Sequence, residues 1–182
     1  MIGRFELGFI GAGHMAEGIV AGVLRKKVLS AGQIIVSDPA EERRQLFADR
    51  FGVAATADNR RVAAGSRCVV LAVKPQNFDE VIAPLADVFV DDHLIVSIMA
   101  GLSTRRIAAA MRCPWPRVVR VMPNLPICVG AGMAAICGGA NATDDDIAFV
   151  RKLFDAGGQC IVLGDEALID AVTAVSGSGP AY

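Results

Sequence analysis

A glycine-rich turn near the start of the chain constrains the fold more than any other feature of the sequence. Residues 5–10 (FELGFI) form a short apolar run, and residues 11–16 (GAGHMA) follow it directly and lead into a helical pattern. In a turn of this G-x-G-x-x-A form, Gly11 permits the sharp reversal, Gly13 lets a ligand approach the backbone, and Ala16 lets the helix pack against the strand. The N–H groups at the start of that helix attract an anion. The turn therefore predicts a strand–turn–helix unit that binds a diphosphate.

Strand-like and helix-like segments alternate along the rest of the chain. Strands are predicted at residues 5–10, 34–37, 53–55, 68–73, 94–98, 118–122, 132–137 and 159–163, and helices at residues 15–29, 41–51, 59–64, 78–89, 103–111, 143–154 and from 167 onward. This alternation is typical of an α/β fold with a Rossmann-like, doubly wound and mostly parallel sheet. Nothing resembles a flexible linker before about residue 164. We therefore predict that residues 1–164 form one NAD(P)-binding domain.

The bulk composition agrees with such a sheet and argues against several classes of protein. Hydrophobic residues make up 53% of the chain, aromatic residues only 5%, and the mean hydropathy is +0.47. Aliphatic strands covered by helices on both faces have this composition. The net charge of −1, without a block of like charges, argues against a nucleic-acid partner. The longest apolar stretch, residues 7–24, contains His14 and Glu17 and suits a membrane span poorly, so we expect no membrane partner and a cytoplasmic location.

The cysteines and histidines do not form a metal-ligand pattern. The five cysteines are scattered without a C-x-x-C pair, so we expect small buried hydrophobic residues in a reducing compartment. With only two histidines in the chain we predict no metal site. His14 occupies a variable position of the turn, over the diphosphate or facing solvent, and His93 is interpreted as part of a surface loop.

Asp38, which directly follows the strand at residues 34–37, bears on the choice of nucleotide. A carboxylate at this position can accept hydrogen bonds from the adenosine ribose, which favours NAD, and would repel the 2′-phosphate of NADP. Arg43 and Arg44, about one helical turn further on, could offset that repulsion or could be solvated residues on a helix face. The sequence leans slightly toward NAD and leaves the choice open.

Three further segments follow predicted strands, at the edge of the sheet where ligands bind in doubly wound folds. They are residues 72–75 (AVKP), 99–101 (MAG) and 123–126 (PNLP). Pro75 keeps Lys74 extended, so that residue 74 is either a cofactor contact or a surface charge. The small residues after Met99 could let a flat ring lie close, although Met99 could equally fill the core. Asn124 could bind the cofactor or substrate, or could only form a turn.

Four segments together resemble the pyrroline-5-carboxylate reductase family. They are residues 8–16 (GFIGAGHMA), 71–75 (LAVKP), 120–124 (RVMPN) and 170–182 (DAVTAVSGSGPAY), in the same order along the whole chain. The last segment is specific to that family rather than to Rossmann-like proteins in general. The resemblance implies hydride transfer from NADPH or NADH to the C=N carbon of 1-pyrroline-5-carboxylate, which yields L-proline in the last step of proline synthesis.

The resemblance also implies a set of site residues. Cofactor contacts are expected at Ile10, Gly11, Ala12, Gly13, His14, Met15, Ser37, Asp38, Asn59, Ala72, Val73, Lys74, Pro75, Met99 and Ala100. Glu166 matches a substrate-side acidic position, although it could simply be an acid at a helix N-terminus, and Asn124 is the other substrate-side candidate. Because a protonated imine accepts hydride readily, the reaction depends mainly on positioning, and no catalytic proton donor is assigned.

Members of that family continue after the S-G-P-A-Y segment into an all-helical domain that dimerises and carries a Gly-Gly-Ala-Thr loop for the substrate carboxylate. Residues 165–182 are therefore expected to begin that domain, the full-length form to be a homo-oligomer built on a dimer, and this chain alone to be weakly active or inactive. Two alternatives stay open. One is an oxidoreductase of the 3-hydroxyacid dehydrogenase type, which would need a catalytic lysine beyond this domain; the other is a non-catalytic dinucleotide-binding module, which would not need residues 176–182.

Overall fold

The structure, a computed structural model, describes residues 5–177 of the chain. The strands are β1 (Phe5–Ile10), β2 (Ile34–Ser37), β3 (Ala54–Thr56), β4 (Ser66–Leu71), β5 (Leu94–Ser97), β6 (Arg117–Pro123), β7 (Gly132–Gly138) and β8 (Gly158–Val162). The α-helices are α1 (His14–Arg25), α2 (Glu41–Phe51), α3 (Asn59–Gly65), α4 (Phe78–Ile82), α5 (Thr104–Ala109), α6 (Asp144–Asp155) and α7 (Ala167–Val172). Short 3₁₀ helices occupy Ala31–Gln33, Pro75–Asn77, Ala83–Leu85 and Leu125–Val129, and a π-helical turn spans Thr173–Gly177. The family-specific residues 178–182 lie outside the described residues.

All eight strands form one sheet in the order β3-β2-β1-β4-β5-β6-β7-β8. Every pair is parallel except β6 and β7, which run antiparallel. The prediction of a mostly parallel, doubly wound sheet is confirmed. The chain builds outward from β1 in one direction through β2 and β3, and in the other from β4 onward, so that the order reverses between β1 and β4. Ligands bind at such a switch point in doubly wound folds.

Helices cover both faces of the sheet and bury it in two hydrophobic cores. On one face α1, α2 and α6 pack their apolar sides, including Val20, Phe47 and Phe154, against strand residues such as Phe9. On the other face α3, α4 and α5 cover the alternate strand residues, and α7 adds a small cluster around Ile169. Because both faces are buried, the strands are almost purely aliphatic, which explains the high hydropathy. In the described part of the chain no helix is long and apolar enough to cross a membrane.

The helix predicted at residues 78–89 was too long. Residues Phe78–Ile82 form α4, and the chain then tightens into the 3₁₀ turn Ala83–Leu85. The cause is Pro84, which has no N–H to continue the α-helical hydrogen bonds. The helix predicted at 15–29 also ends early, at Arg25, where Lys27 takes a left-handed conformation with φ 54°.

The placement of His93 as a surface residue was wrong. The residue is 3% exposed, and its buried ring is held by two contacts: Nδ1 accepts a hydrogen bond from Val90 N–H at 3.0 Å, and Nε2 lies 3.1 Å from Ala63 O. Burial lowers the pKa of this imidazole below its ordinary value of 6.5. These contacts fit the neutral ring, which closes the loop before β5.

The expectation of buried cysteines holds for Cys68 and Cys137 and is wrong for Cys128, which is exposed. Burial raises the pKa of the Cys68 thiol to about 12, so this residue remains a neutral, hydrophobic side chain. Cys128 is exposed because it lies on the short 3₁₀ helix Leu125–Val129, outside the sheet, against the start of α1.

Candidate functional site

A cavity of about 550 Å³ opens at the carboxyl ends of the strands, where β1 and β4 lie side by side. Its size is within the usual range for small-molecule sites. The residues that line it are Gly11, Gly13, Ser37, Asp38, Pro39, Ala57, Asn59, Ala72, Val73, Lys74, Asn77, Glu80, Val81 and Pro84. Eight of the predicted cofactor residues are therefore brought together around one opening at the switch point of the sheet.

The glycine-rich turn after β1 forms the floor of the cavity. Gly11 has φ +100°, and a Cβ on it would lie 2.6 Å from the carbonyl oxygen of Ala72. Only glycine satisfies both conditions, because side chains rarely adopt this φ and the neighbouring backbone leaves no room. The close approach is stabilised by hydrogen bonds from Gly11 N to Ser37 O and from Ala72 N to Ile10 O, each 2.8 Å.

Gly13 has a different role. It is the N-cap of α1 with an extended backbone (φ −74°, ψ −178°), and in the described part of the chain no side chain caps the helix there. Apart from its chain neighbours, none of the described residues has an atom within 4 Å of a Cβ placed on Gly13, so open space lies beside the helix N-terminus. The N–H groups of the first turn, which have no partner within the helix, and the positive end of the helix dipole face this opening. This arrangement suits a bound diphosphate.

Charged side chains hold the Ala12 peptide between the two glycines. The Asp38 Oδ2 atom accepts a hydrogen bond from Ala12 N at 2.9 Å, and Arg43 Nε donates to Ala12 O at 2.7 Å. Asp38 Oδ1 also accepts from Ala40 N at 2.9 Å, at the start of α2. Asp38 is therefore a positioning residue for the turn as well as part of the cavity wall, a role that the sequence did not reveal.

The two arginines after Asp38 are engaged by the protein rather than solvated. Arg43 also pairs with Glu17 at 2.8 Å, and its side chain is 21% exposed. Arg44 Nη1 donates to the carbonyl oxygens of Asp38 and Pro39, at 2.8 and 2.7 Å. The guanidinium of Arg44 therefore lies against the stretch of backbone that lines the cavity at Asp38 and Pro39.

The remaining wall comes from the loops that follow β2, β3 and β4, together with α4 and the 3₁₀ turn after it. The Ser37 hydroxyl lies 2.7 Å from Asn59 Oδ1, which fixes the first residue of α3 at the cavity edge. On the opposite side, residues 72–74 leave β4, and Lys74 is exposed before the 3₁₀ turn at Pro75–Asn77. Six lining residues were not predicted: Pro39, Ala57, Asn77, Glu80, Val81 and Pro84. Three of them, Glu80, Val81 and Pro84, lie on α4 and the 3₁₀ turn that follows it, away from any strand end, so the strand-end pattern did not mark them.

Several predicted site residues do not line the cavity. Ile10 and Met99 are 0% and 2% exposed, so their side chains fill the core and only their backbone is near the carboxyl edge. Ala12 is buried, His14 and Ala100 are exposed, and Met15 and Pro75 are half-buried. The side-chain oxygen of Asn124 accepts a hydrogen bond from Met133 N at 2.8 Å, which ties the β6–β7 connection together.

Glu166 lies at a second polar cluster, beside α5. Its carboxylate accepts hydrogen bonds from Thr104 N at 2.8 Å and from the Thr104 hydroxyl at 2.7 Å. Arg120, only 3% exposed in the middle of β6, donates to Glu166 and to Asp170. Arg120 was not predicted as important, although a charge inside an otherwise apolar strand is a visible signal.

The fold is Rossmann-like, with a cavity at the switch point of the sheet, where folds of this class bind their ligands. The chain belongs to the NADP oxidoreductase, coenzyme F420-dependent family, whose model matches residues 6–101, more than half of the sequence.

Relatives and solved structures confirm the resemblance to pyrroline-5-carboxylate reductase. The chain is 44% identical over 176 residues to the pyrroline-5-carboxylate reductase of Haemophilus influenzae. This match covers 97% of this chain and 64% of that protein. The structure of the Coxiella burnetii enzyme of that name matches with a TM-score of 0.92 and 32% identity, over 98% of this chain and 66% of that one. A Plasmodium falciparum pyrroline carboxylate reductase with NADP bound matches with a TM-score of 0.85 and 25% identity, over 100% of this chain and 66% of that one. This chain thus spans slightly less than two thirds of these proteins.

Proposed function

We propose that this chain is the cofactor-binding part of a pyrroline-5-carboxylate reductase, which binds NADPH or NADH and reduces 1-pyrroline-5-carboxylate to L-proline. The similarity to enzymes of that name along 97% of the chain supports the proposal. The alternatives, a hydroxyacid dehydrogenase and a non-catalytic module, have no comparable support from the relatives. The reduced cofactor would supply the hydride, and this chain would position it.

The observation that carries the proposal is the open space at Gly13, at the start of α1, which no side chain among the described residues caps. A diphosphate there would be bound by backbone N–H groups without displacing any side chain. The rest of the cavity suits a dinucleotide. Ser37, Asp38 and Asn59 would lie on the adenosine side, as expected for the end of the second strand.

The opposite end of the cofactor would extend along the loops after β4 and β5. The backbone of residues 72–74 would contact the nicotinamide riboside, and Lys74 could approach the phosphates with its exposed ammonium group. The loop at residues 98–103 follows β5 in the same direction, with Ala100 and Gly101 exposed at its tip. Small residues there would let the nicotinamide ring lie flat, and Ala100 is the contact that we propose. Asn124 and Glu166 remain the candidates on the substrate side.

We further propose that residues 165–182 begin a helical unit, that the full-length protein is a homo-oligomer built on a dimer, and that it acts in the cytoplasm. The relatives extend well beyond the part that this chain matches. The substrate-binding groups of the whole enzyme would then come in part from that additional length. We therefore expect this chain to bind cofactor with ordinary affinity but to turn over substrate slowly.

The experiment that tests the proposed function is a turnover assay with a binding control. Absorbance would follow the oxidation of NADPH and of NADH with 1-pyrroline-5-carboxylate and without substrate. It would also follow the reduction of NADP⁺ and of NAD⁺ by a 3-hydroxyacid. Each assay would use this chain and a full-length version. We expect the imine alone to be reduced, faster by the longer protein. Turnover of the hydroxyacid, or no turnover by either protein despite tight cofactor binding, would contradict the proposal.

A further inference from the structure

A buried cation links α7 to the sheet. The side chain of Arg120 is 4% exposed, and its guanidinium donates to Asp170 Oδ1 at 2.7 Å and to Glu166 Oε1 at 3.3 Å. Both acids belong to the segment of α7, Glu166 immediately before the helix and Asp170 within it. A guanidinium buried this deeply needs its partners, because an uncompensated buried charge is strongly destabilising. Arg120 therefore fixes where α7 lies on the sheet.

Glu166 uses the same carboxylate to hold the start of α5. It accepts hydrogen bonds from both the backbone N–H and the hydroxyl of Thr104, the first residue of that helix. The backbone of Gly139 also packs closely against Thr104: a Cβ placed on Gly139 would lie only 2.9 Å from the Thr104 Cβ. The N-terminus of α5 is thus confined between α7 and the loop after β7.

These contacts fix one end of the loop at residues 98–103, and a second contact fixes the other. Ser97, fully buried at the end of β5, accepts a hydrogen bond from Met99 N at 3.3 Å. Ser97 is also the register partner of Arg120 on β6. Between these anchors, Ala100 and Gly101 are exposed, and Gly101 has φ +72°. The tip of the loop is therefore presented at the carboxyl edge by a frame that Arg120 and Glu166 complete.

We propose that Glu166 and Arg120 are positioning residues for the nicotinamide end of the cofactor. The inference rests on the proposed dinucleotide binding. Glu166 acts through Thr104 on the shape of the loop at residues 98–103, and Arg120 keeps the Glu166 carboxylate in place. Since Glu166 belongs to the segment of α7, docking of α7 and binding of the nicotinamide ring are coupled, so each favours the other.

The test compares two ligands that differ only in the nicotinamide ring. The first is the reduced cofactor that the unaltered chain binds more tightly, and the second is the matching ADP-ribose, with a 2′-phosphate if that cofactor is NADPH. Glu166→Ala should weaken the cofactor by about tenfold, equivalent to about 1.4 kcal/mol, and ADP-ribose by less than about twofold. Glu166→Gln should restore most of the affinity, because the amide oxygen can still accept the Thr104 N–H. Arg120→Met should behave like Glu166→Ala.

Arg117→Met is the matched control. Arg117 begins the same strand and pairs with the buried Asp146 at 2.8 Å, but it lies at the amino edge, near the carbonyl oxygens of Asp91 and Asp92. Its replacement should lower the melting temperature without a selective loss of either ligand. If the other variants fold poorly, Thr104→Val removes only the hydroxyl contact and should weaken the cofactor selectively by about threefold.

Three results would overturn the inference. Equal weakening of both ligands would make the cluster purely structural, and unchanged cofactor affinity in folded Glu166→Ala or Thr104→Val would remove its link to the loop. Failure of the unaltered chain to bind either ligand would instead contradict the proposed function itself, and the inference with it. Circular dichroism of each variant confirms that the comparison is made on folded protein.

Discussion

Replacing Gly13 by alanine should greatly weaken cofactor binding while leaving the folded chain nearly as stable as before. The backbone at Gly13 is extended, with φ −74°, and beyond its chain neighbours a Cβ would meet no atom of residues 5–177 within 4 Å. The free energy of unfolding should therefore change by less than about 1 kcal/mol. Alanine lowers the entropy of the unfolded chain, which stabilises the fold, and it is a poorer N-cap than glycine, which offsets that gain. The new methyl would occupy the space for the diphosphate. Losing one or two charge-assisted hydrogen bonds, at about 1.5–3 kcal/mol each, predicts at least a tenfold loss of affinity.

The same substitution at Gly11 should, in contrast, destabilise the folded chain. Its φ of +100° costs an alanine about 1–2 kcal/mol, and the Cβ would lie 2.6 Å from Ala72 O. Together with this overlap, Gly11→Ala should lose about 2–4 kcal/mol of stability, or roughly 5–15 °C in melting temperature. Calorimetric titration with NADPH and NADH, beside thermal melts, checks both variants. Unchanged affinity in Gly13→Ala, or unchanged stability in Gly11→Ala, would refute the reasoning.

Three other outcomes follow from the contacts around the site and the core. Asp38→Asn should raise the NADPH-to-NADH affinity ratio by about tenfold, because a neutral amide does not repel the 2′-phosphate; an unchanged ratio in titrations with both cofactors would show that Asp38 serves only the turn. Lowering the pH from about 7 to 5.5 should destabilise the fold in denaturant titrations, since burial lowers the pKa of His93 below 6.5 and the unfolded chain then binds a proton that the folded chain does not. That loss should be smaller in His93→Gln, and an equal loss would rule His93 out as its source. Iodoacetamide should label Cys128 in the folded chain and Cys68 only after unfolding, which peptide mass spectrometry would detect; early labelling of Cys68 would contradict its burial.

Most of the fold could be predicted because burial on both faces makes the strands aliphatic and easy to find. The strands predicted at 5–10 and 34–37 and the helix predicted at 41–51 agree with the structure to the residue. Helix length was harder, since Pro84 ended α4 where the apolar pattern continued. Strand direction carries no local signal. The length of a connection does not settle it either, since connections of similar length join the antiparallel pair β6 and β7 and the parallel strands β3 and β4.

The position of the site could be predicted from the sequence, but the orientation and contacts of its side chains could not. Strand ends identified which loops meet, since the carboxyl ends of parallel strands lie at one edge. They did not show which side chains point inward, so Ile10 and Met99 proved to be core residues. The contacts of Asp38 with Ala12 and of Glu166 with Thr104 join residues 26 and 62 positions apart. Such pairings depend on tertiary packing, which no short motif encodes.

Titration of the ¹⁵N-labelled chain with NADPH and with NADH, observed by amide NMR, addresses the phosphate-binding turn directly. We expect saturable shifts for at least one cofactor, largest at the amides of Gly13, His14 and Met15, where α1 begins without a side-chain cap among the described residues. Folded protein whose spectrum stays unchanged at high concentrations of both cofactors, or shifts only at residues remote from this turn, would contradict it.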